Sequence, residues 1–151
     1  MQVQPINGFN VSTLNYKGNP VLNLKNKFYN RRIGSTENVY NYANQVVKRT
    51  KYYFGDCIDC IQEFNPDKNI MTKFTQYRHT HNPSINFVME FDPETGYKKK
   101  TTYYNGNFIS KIKEYDGQRT EPVRIIRYMP DSDKISCVTD CITGETVYYN
   151  K

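Results

Sequence analysis

The chain has 151 residues, a formal charge of +6, 37% hydrophobic residues and no tryptophan. That is one domain of ordinary size, able to bury roughly two-thirds of its unfolded surface, and it leaves no room for a multidomain enzyme. Fourteen Tyr and eight Phe stand against three Leu and one Ala, a balance that disfavours a helical bundle and suits a pleated surface.

No run approaches 18 apolar residues, so nothing in the sequence spans a membrane as a helix. The stretch from Met1 to Lys17 lacks an apolar core behind a basic start, so no secretory signal is expected and the expected location is cytoplasmic. Four cysteines are too few for a disulfide scaffold and read as reduced thiols.

Charge is concentrated at the N-terminal side. Residues 1–55 hold eight Lys/Arg and one acid, a net +7, whereas residues 56–151 hold 13 Lys/Arg and 14 acids, a net −1. Residues 1–34 also carry Pro, Gly and many Asn without a sustained period, which reads as a flexible basic arm. Lys25, Lys27, Arg31 and Arg32 are its candidate contacts to phosphate or another polyanion.

The remainder, 35–151, reads as a single domain. A helix is predicted over 36–49, with Ser35 as N-cap, Glu37 in the first turn, and Lys48 and Arg49 in the last. Val39, Tyr42, Ala43, Val46 and Val47 form its apolar stripe. Asn38, Asn41 and Asn44 count against it, being weak helix formers.

From residue 51 to 150 the chain is an internal repeat. Turn sequences follow an aromatic at Phe64, Tyr77, Phe91, Tyr104, Tyr115 and Tyr128, and a further turn follows Cys141, at near-regular steps. Asn105-Gly106 and Asp116-Gly117 read as two-residue type I′ hairpin turns. The Pro-containing slots suit type I turns. Acid–aromatic pairs (Glu63-Phe64, Glu90-Phe91, Glu114-Tyr115) recur at about twice that step. Double-Tyr units (Tyr52-Tyr53, Tyr103-Tyr104, Tyr148-Tyr149) fall around and between them. The unit is a hairpin of about 26 residues, and repeated hairpins imply an antiparallel meander. Along 111–115, Lys111, Lys113 and Tyr115 share one face, and Ile112 and Glu114 the other. Such alternation fits an open sheet with a solvated face better than a tight barrel.

These Tyr-x-Gly turns, acid–aromatic pairs and successive hairpins resemble MORN-variant repeats and, more loosely, YD-type repeats of bacterial surface and toxin proteins. The resemblance covers residues 51–150; glycines are irregularly placed and Pro replaces Gly in three slots. It implies a binding or scaffolding surface, and no catalytic residue carries over.

Chemistry-bearing motifs are sparse. No two glycines are closer than ten positions, which excludes a Walker loop or dinucleotide fingerprint. No nucleophile elbow, zinc-protease or EF-hand motif is present. Cys57-x-x-Cys60 and Cys137-x3-Cys141 have thiolate spacing, and His79 and His81 share a strand face, so Cys57, Cys60, His79 and His81 form a candidate zinc set. The competing reading is buried thiols and a polar loop, with no cofactor. Lys98, Lys99 and Lys100 beside Tyr103 and Tyr104 match a polyanion surface, but a charged edge strand is the favoured reading.

The expectation is a non-enzymatic, mainly β interaction or scaffold module whose partner is a protein, contacted through Tyr103, Tyr104, Tyr115 and Tyr128. A nucleic-acid or polyanion binder is the alternative, and a small-ligand or metal-binding β-barrel the third reading.

Overall fold

A computed structural model describes residues 34–80 and 83–149, together with the backbone of Val11–Thr13. The arm residues Lys25, Lys27, Arg31 and Arg32, and His81, lie outside these residues. The described elements are all strands. They are β1 (Val11–Thr13), β2 (Thr36–Tyr40), β3 (Val46–Phe54), β4 (Cys57–Asn65), β5 (Ile70–Tyr77) and β6 (Ile85–Phe91), then β7 (Lys98–Asn105), β8 (Phe108–Glu114), β9 (Arg124–Tyr128), β10 (Ile135–Asp140) and β11 (Thr146–Tyr148). Each pairs antiparallel with the next, in chain order. Every strand contacts only its immediate neighbours, so the sheet is a single open layer rather than a barrel or sandwich. Among the described residues only Cys60, Val88 and Cys137 are buried apolar side chains.

The helix expected over 36–49 is instead the β2–β3 hairpin. The asparagines decide it. Asn41 Oδ1 accepts from the backbone N–H of Ala43 and Gln45, Asn41 N–H donates to the Gln45 carbonyl, and Asn44 takes φ 60°. Asn is among the few residues that tolerate a left-handed backbone, and its side chain closes such turns. The β-branched Val46 and Val47 then enter a strand, where their stiff χ1 is no handicap.

The meander of hairpins stands as expected, with one refinement of the turns. Phe54 and Cys57 pair across Gly55-Asp56, and Asn105 and Phe108 pair across Gly106-Asn107. Only the first central residue has positive φ, 55° at Gly55 and 61° at Gly106, the type II′ pattern rather than type I′. Asp116-Gly117 is not a two-residue turn either. It lies in the longer β8–β9 connection, where Asp116 Oδ1 accepts from Gln118 and Arg119 N–H.

At the other end of the sheet, every turn begins with an Asx residue whose side-chain oxygen accepts from the turn backbone. These are Asn41, Asn65, Asp92, Asp116 and Asp140, placed at near-even intervals along the chain. The N–H bonds of Thr143 and Ile142 hold the Asp140 carboxyl below its usual range. Lys99 and the N–H groups of Thr95 and Glu94 hold Asp92 well below it. Each favours the charged form.

The aromatic before each turn also has a structural place. Register slips by one residue at the pairs Tyr40–Val46, Tyr52–Ile58, Phe64–Met71, Tyr77–Ile85, Phe91–Lys98, Tyr104–Ile109 and Tyr128–Ile135. The repeating aromatic therefore marks a β-bulge, which adds twist and ends the regular ladder. Between the bulges, four residues per strand keep an unbroken register: 36–39, 48–51, 60–63, 73–76, 87–90, 100–103, 111–114, 124–127 and 137–140.

Candidate functional site

That frame has two faces with different chemistry. On one, the cross-sheet row Thr50, Ile61, Thr75, Val88, Thr102, Ile112, Ile126, Val138 and Val147 is a β-branched spine. Beside it runs a row whose members alternate in sign: Lys48, Glu63, Lys73, Glu90, Lys100, Glu114, Arg124 and Asp140. Lys100 Nζ lies 2.6 Å from Glu90 Oε2 and Arg124 3.6 Å from Glu114. Opposite charges directly across an antiparallel pair attract, and long charged side chains lay their methylene stems over neighbouring apolar rows. Thr75, Val88 and Thr102 are buried in the spine although no second layer among the described residues lies over them.

Cross-strand pairing accounts for the acid–aromatic pairs. Glu63, Glu90 and Glu114 sit on strands running toward the Asx turns. The returning strand places Lys73, Lys100 and Arg124 opposite them, each ten positions later. Sequence reasoning saw the acids without their partners.

The opposite face carries Arg49, Lys51, Lys111, Lys113 and Arg127 and no acid within the frame; Asp59, one position outside it, reaches the face at its edge, where its carboxylate accepts from Gln76 Nε2. None of the five forms an ion pair with an acid among the described residues. Between Arg49 and Lys51 on β3 and the cations of β8 and β9 runs an apolar strip. Phe74 and Phe87 have ring centroids 6.0 Å apart, and Phe87 and Tyr103 5.9 Å, tilted at 31° and 44°. Lys111 Nζ stands 4.5 Å and Lys113 Nζ 5.9 Å from the Tyr103 ring centroid. The pairing of Lys111 and Lys113 on one face, and Ile112 and Glu114 on the other, is as the alternation required.

The sequence-derived candidates fall in several places. Tyr103 lies on the cationic face, whereas Tyr104 and Tyr128 are bulge residues and Tyr115 follows β8 at an Asx turn. Lys98 covers the Tyr115 ring at 4.6 Å. Lys99 pairs with Asp92 at 2.9 Å and Lys100 with Glu90, so two of the three consecutive lysines already face acids. Tyr97, Lys98, Tyr115 and Gly117 line a shallow cleft of about 410 Å³ between two turns. The signal that would have found Arg49, Lys51, Lys111, Lys113 and Arg127 as one site is the four-residue frame, which needs the bulge positions.

Cys57 is exposed and Cys60 buried, on strand β4. Burial, reinforced by Asp59, pushes the Cys60 thiol pKa up. His79 stacks on Tyr53 at 4.1 Å and 6°, and its Nε2 is 2.8 Å from Asp59 Oδ1. Gln76 Nε2 donates to the same carboxylate oxygen. Among the described residues no three His, Cys, Asp or Glu side chains are grouped to hold a metal ion.

Fold and site together define a single-layer antiparallel β-repeat protein with one charge-balanced and one cationic face. Residues 55–103, the β4–β7 portion of the sheet, are similar to a family described as Protein of unknown function (DUF2963). No curated protein and no solved structure matches the chain.

Proposed function

We propose that this chain is a non-catalytic scaffold whose open sheet binds another protein. The observation that carries the reading is the single layer of adjacent strands, which leaves both faces of the regular frame uncovered by any other described element. Domains normally bury a sheet face against a second layer. Here the ladder of alternating charge serves one face, and the other keeps an aromatic strip with cations that have no acid partner among the described residues, a composition suited to partner contact. The resemblance to MORN-variant and YD-type repeats points the same way, toward binding surfaces without catalytic residues. Tyr103 is the contact residue that the face retains from the sequence-derived set. No cofactor is required by this role. Among the described residues no helix is long and apolar enough to cross a membrane.

The test is site-specific photo-crosslinking in the native cell, with a photoreactive residue at Lys73 on the charge-balanced face or Gln76 on the cationic face. A reproducible protein adduct from one of these two positions supports the platform. Adducts to nucleic acid alone, or none from either position, overturn it.

A further inference from the structure

We infer that the cationic face docks an acidic protein segment with an apolar centre, laid across the strands between Arg49 and Lys51 at one side and Lys111, Lys113 and Arg127 at the other. The inference rests on the platform reading and names its partner's chemistry. The two groups of cations are separated by the strands β4 to β7, so they stand five strand spacings apart, about 24 Å. The intervening strip holds Phe74, Phe87 and Tyr103 in ring contact. An occupant that matches this surface has carboxylates at both ends and apolar side chains between them. About seven extended residues cover that distance.

Charge excludes the occupants the chain could supply itself. A second copy placed face to face would bring ten cations together with no acid from either frame. Its other face is balanced in sign along the ladder, and Glu37 opposite Thr50 adds a single acid, too few to neutralise five cations. The segment from Met1 to Ile33 contains five Lys/Arg and no Asp or Glu, so it lacks the carboxylates that this face attracts.

Ring geometry selects protein over single-stranded nucleic acid. Base stacking needs an open aromatic face. Over Tyr103 that position is taken by the ammonium groups of Lys111 and Lys113, and Phe74 and Phe87 lean on one another. Lysines held above an aromatic floor offer donors to carboxylates without first being displaced.

The experiment measures fluorescence anisotropy of a labelled synthetic peptide, glutamates at both ends and leucines in the middle, against the full chain. A lysine-ended peptide of the same core and a single-stranded oligothymidylate are measured alongside. Binding of the glutamate peptide, weakened about tenfold or more by the double change K111E/K113E and strongly by salt, is expected. K111Q/K113Q is the milder variant should charge reversal disturb folding, and K134E is the control for net charge outside this face, expected to bind as the parent does. Peptide binding indifferent to both double variants overturns the assignment to this face while leaving the platform reading standing. Tighter, K111E/K113E-sensitive binding of the oligothymidylate overturns the inference in favour of nucleic acid and takes the platform reading with it. No binding of any probe overturns the inference alone, since photo-crosslinking from Lys73 and Gln76 decides the platform independently.

Discussion

Reversing the charge of Glu90 tests the ladder at its middle. Glu90 stands between Lys73 and Lys100 across the β5–β6 and β6–β7 pairs, and its contact with Lys100 is 2.6 Å. Both side chains of that contact are about two-fifths exposed, 40% for Lys100 and 41% for Glu90, so each attraction is modest. Exposed cross-strand ion pairs contribute roughly 0.2–1 kcal/mol, and like charges directly opposite cost similar amounts. Glu90→Lys removes two attractions and creates two repulsions, so a destabilisation of about 1–2 kcal/mol is expected at low salt. At about 1 M salt the screening length falls to about 3 Å, and most of that loss should disappear. Urea unfolding followed by circular dichroism measures both. Lys111→Glu is the internal contrast. Lys111 lies opposite Arg127 with no acid in its rows, so reversal relieves repulsion while giving up a cation–π contact, and should stay within about 0.5 kcal/mol of the parent. Equal losses from the two reversals, or a Glu90→Lys loss unchanged by salt, would refute the two-faced arrangement.

Acid sensitivity should trace to the Asx turns. Asp92 and Asp140 have folded-state pKa values below their unfolded ones. Their contribution is complete above about pH 4 and is lost as pH falls through the depressed folded values. Replacing either with Asn should flatten the fall of unfolding free energy below about pH 4, measured by denaturant titration across pH, and an unchanged slope would reject the assignment. Glycines separate backbone strain from contact. Gly96 (φ 76°) would place a Cβ 3.2 Å from Ile70 Cγ2, whereas Gly144 (φ 78°) has open space. Both Ala variants should melt lower, by about 1 kcal/mol for the backbone term, and G96A should be the worse. Thiol exposure predicts the order of alkylation. Cys57 and Cys141 should react with iodoacetamide well before Cys60 and Cys137, as followed by mass spectrometry; a fast Cys60 would contradict its burial and raised pKa.

The repeat of hairpins was legible because turn chemistry is local. An aromatic, then Asx or Pro, then a residue tolerating positive φ, punctuates the chain without reference to distant residues. Tertiary pairing was not legible in the same way. The 36–49 segment shows the limit: its apolar residues satisfy a helical period as well as a hairpin, and the Asn41 and Asn44 turn chemistry, together with pairing of β3 to β4, tips the balance. The bulges matter still more. Each shifts which residues oppose one another, and with a side-chain period of two, one inserted residue exchanges the faces. So Glu63, Glu90 and Glu114 were visible as a recurring signal, but their cations were not. Lys98 to Lys100 looked like one basic patch until the sheet set Lys99 and Lys100 beside acids and Lys98 over the Tyr115 ring. Composition and turn spacing by themselves determined a β meander of short hairpins. Only the register, set by bulges and pairing across strands, decided that its charges would separate into a neutral ladder on one face and, on the other, five cations with no acid partner among the described residues.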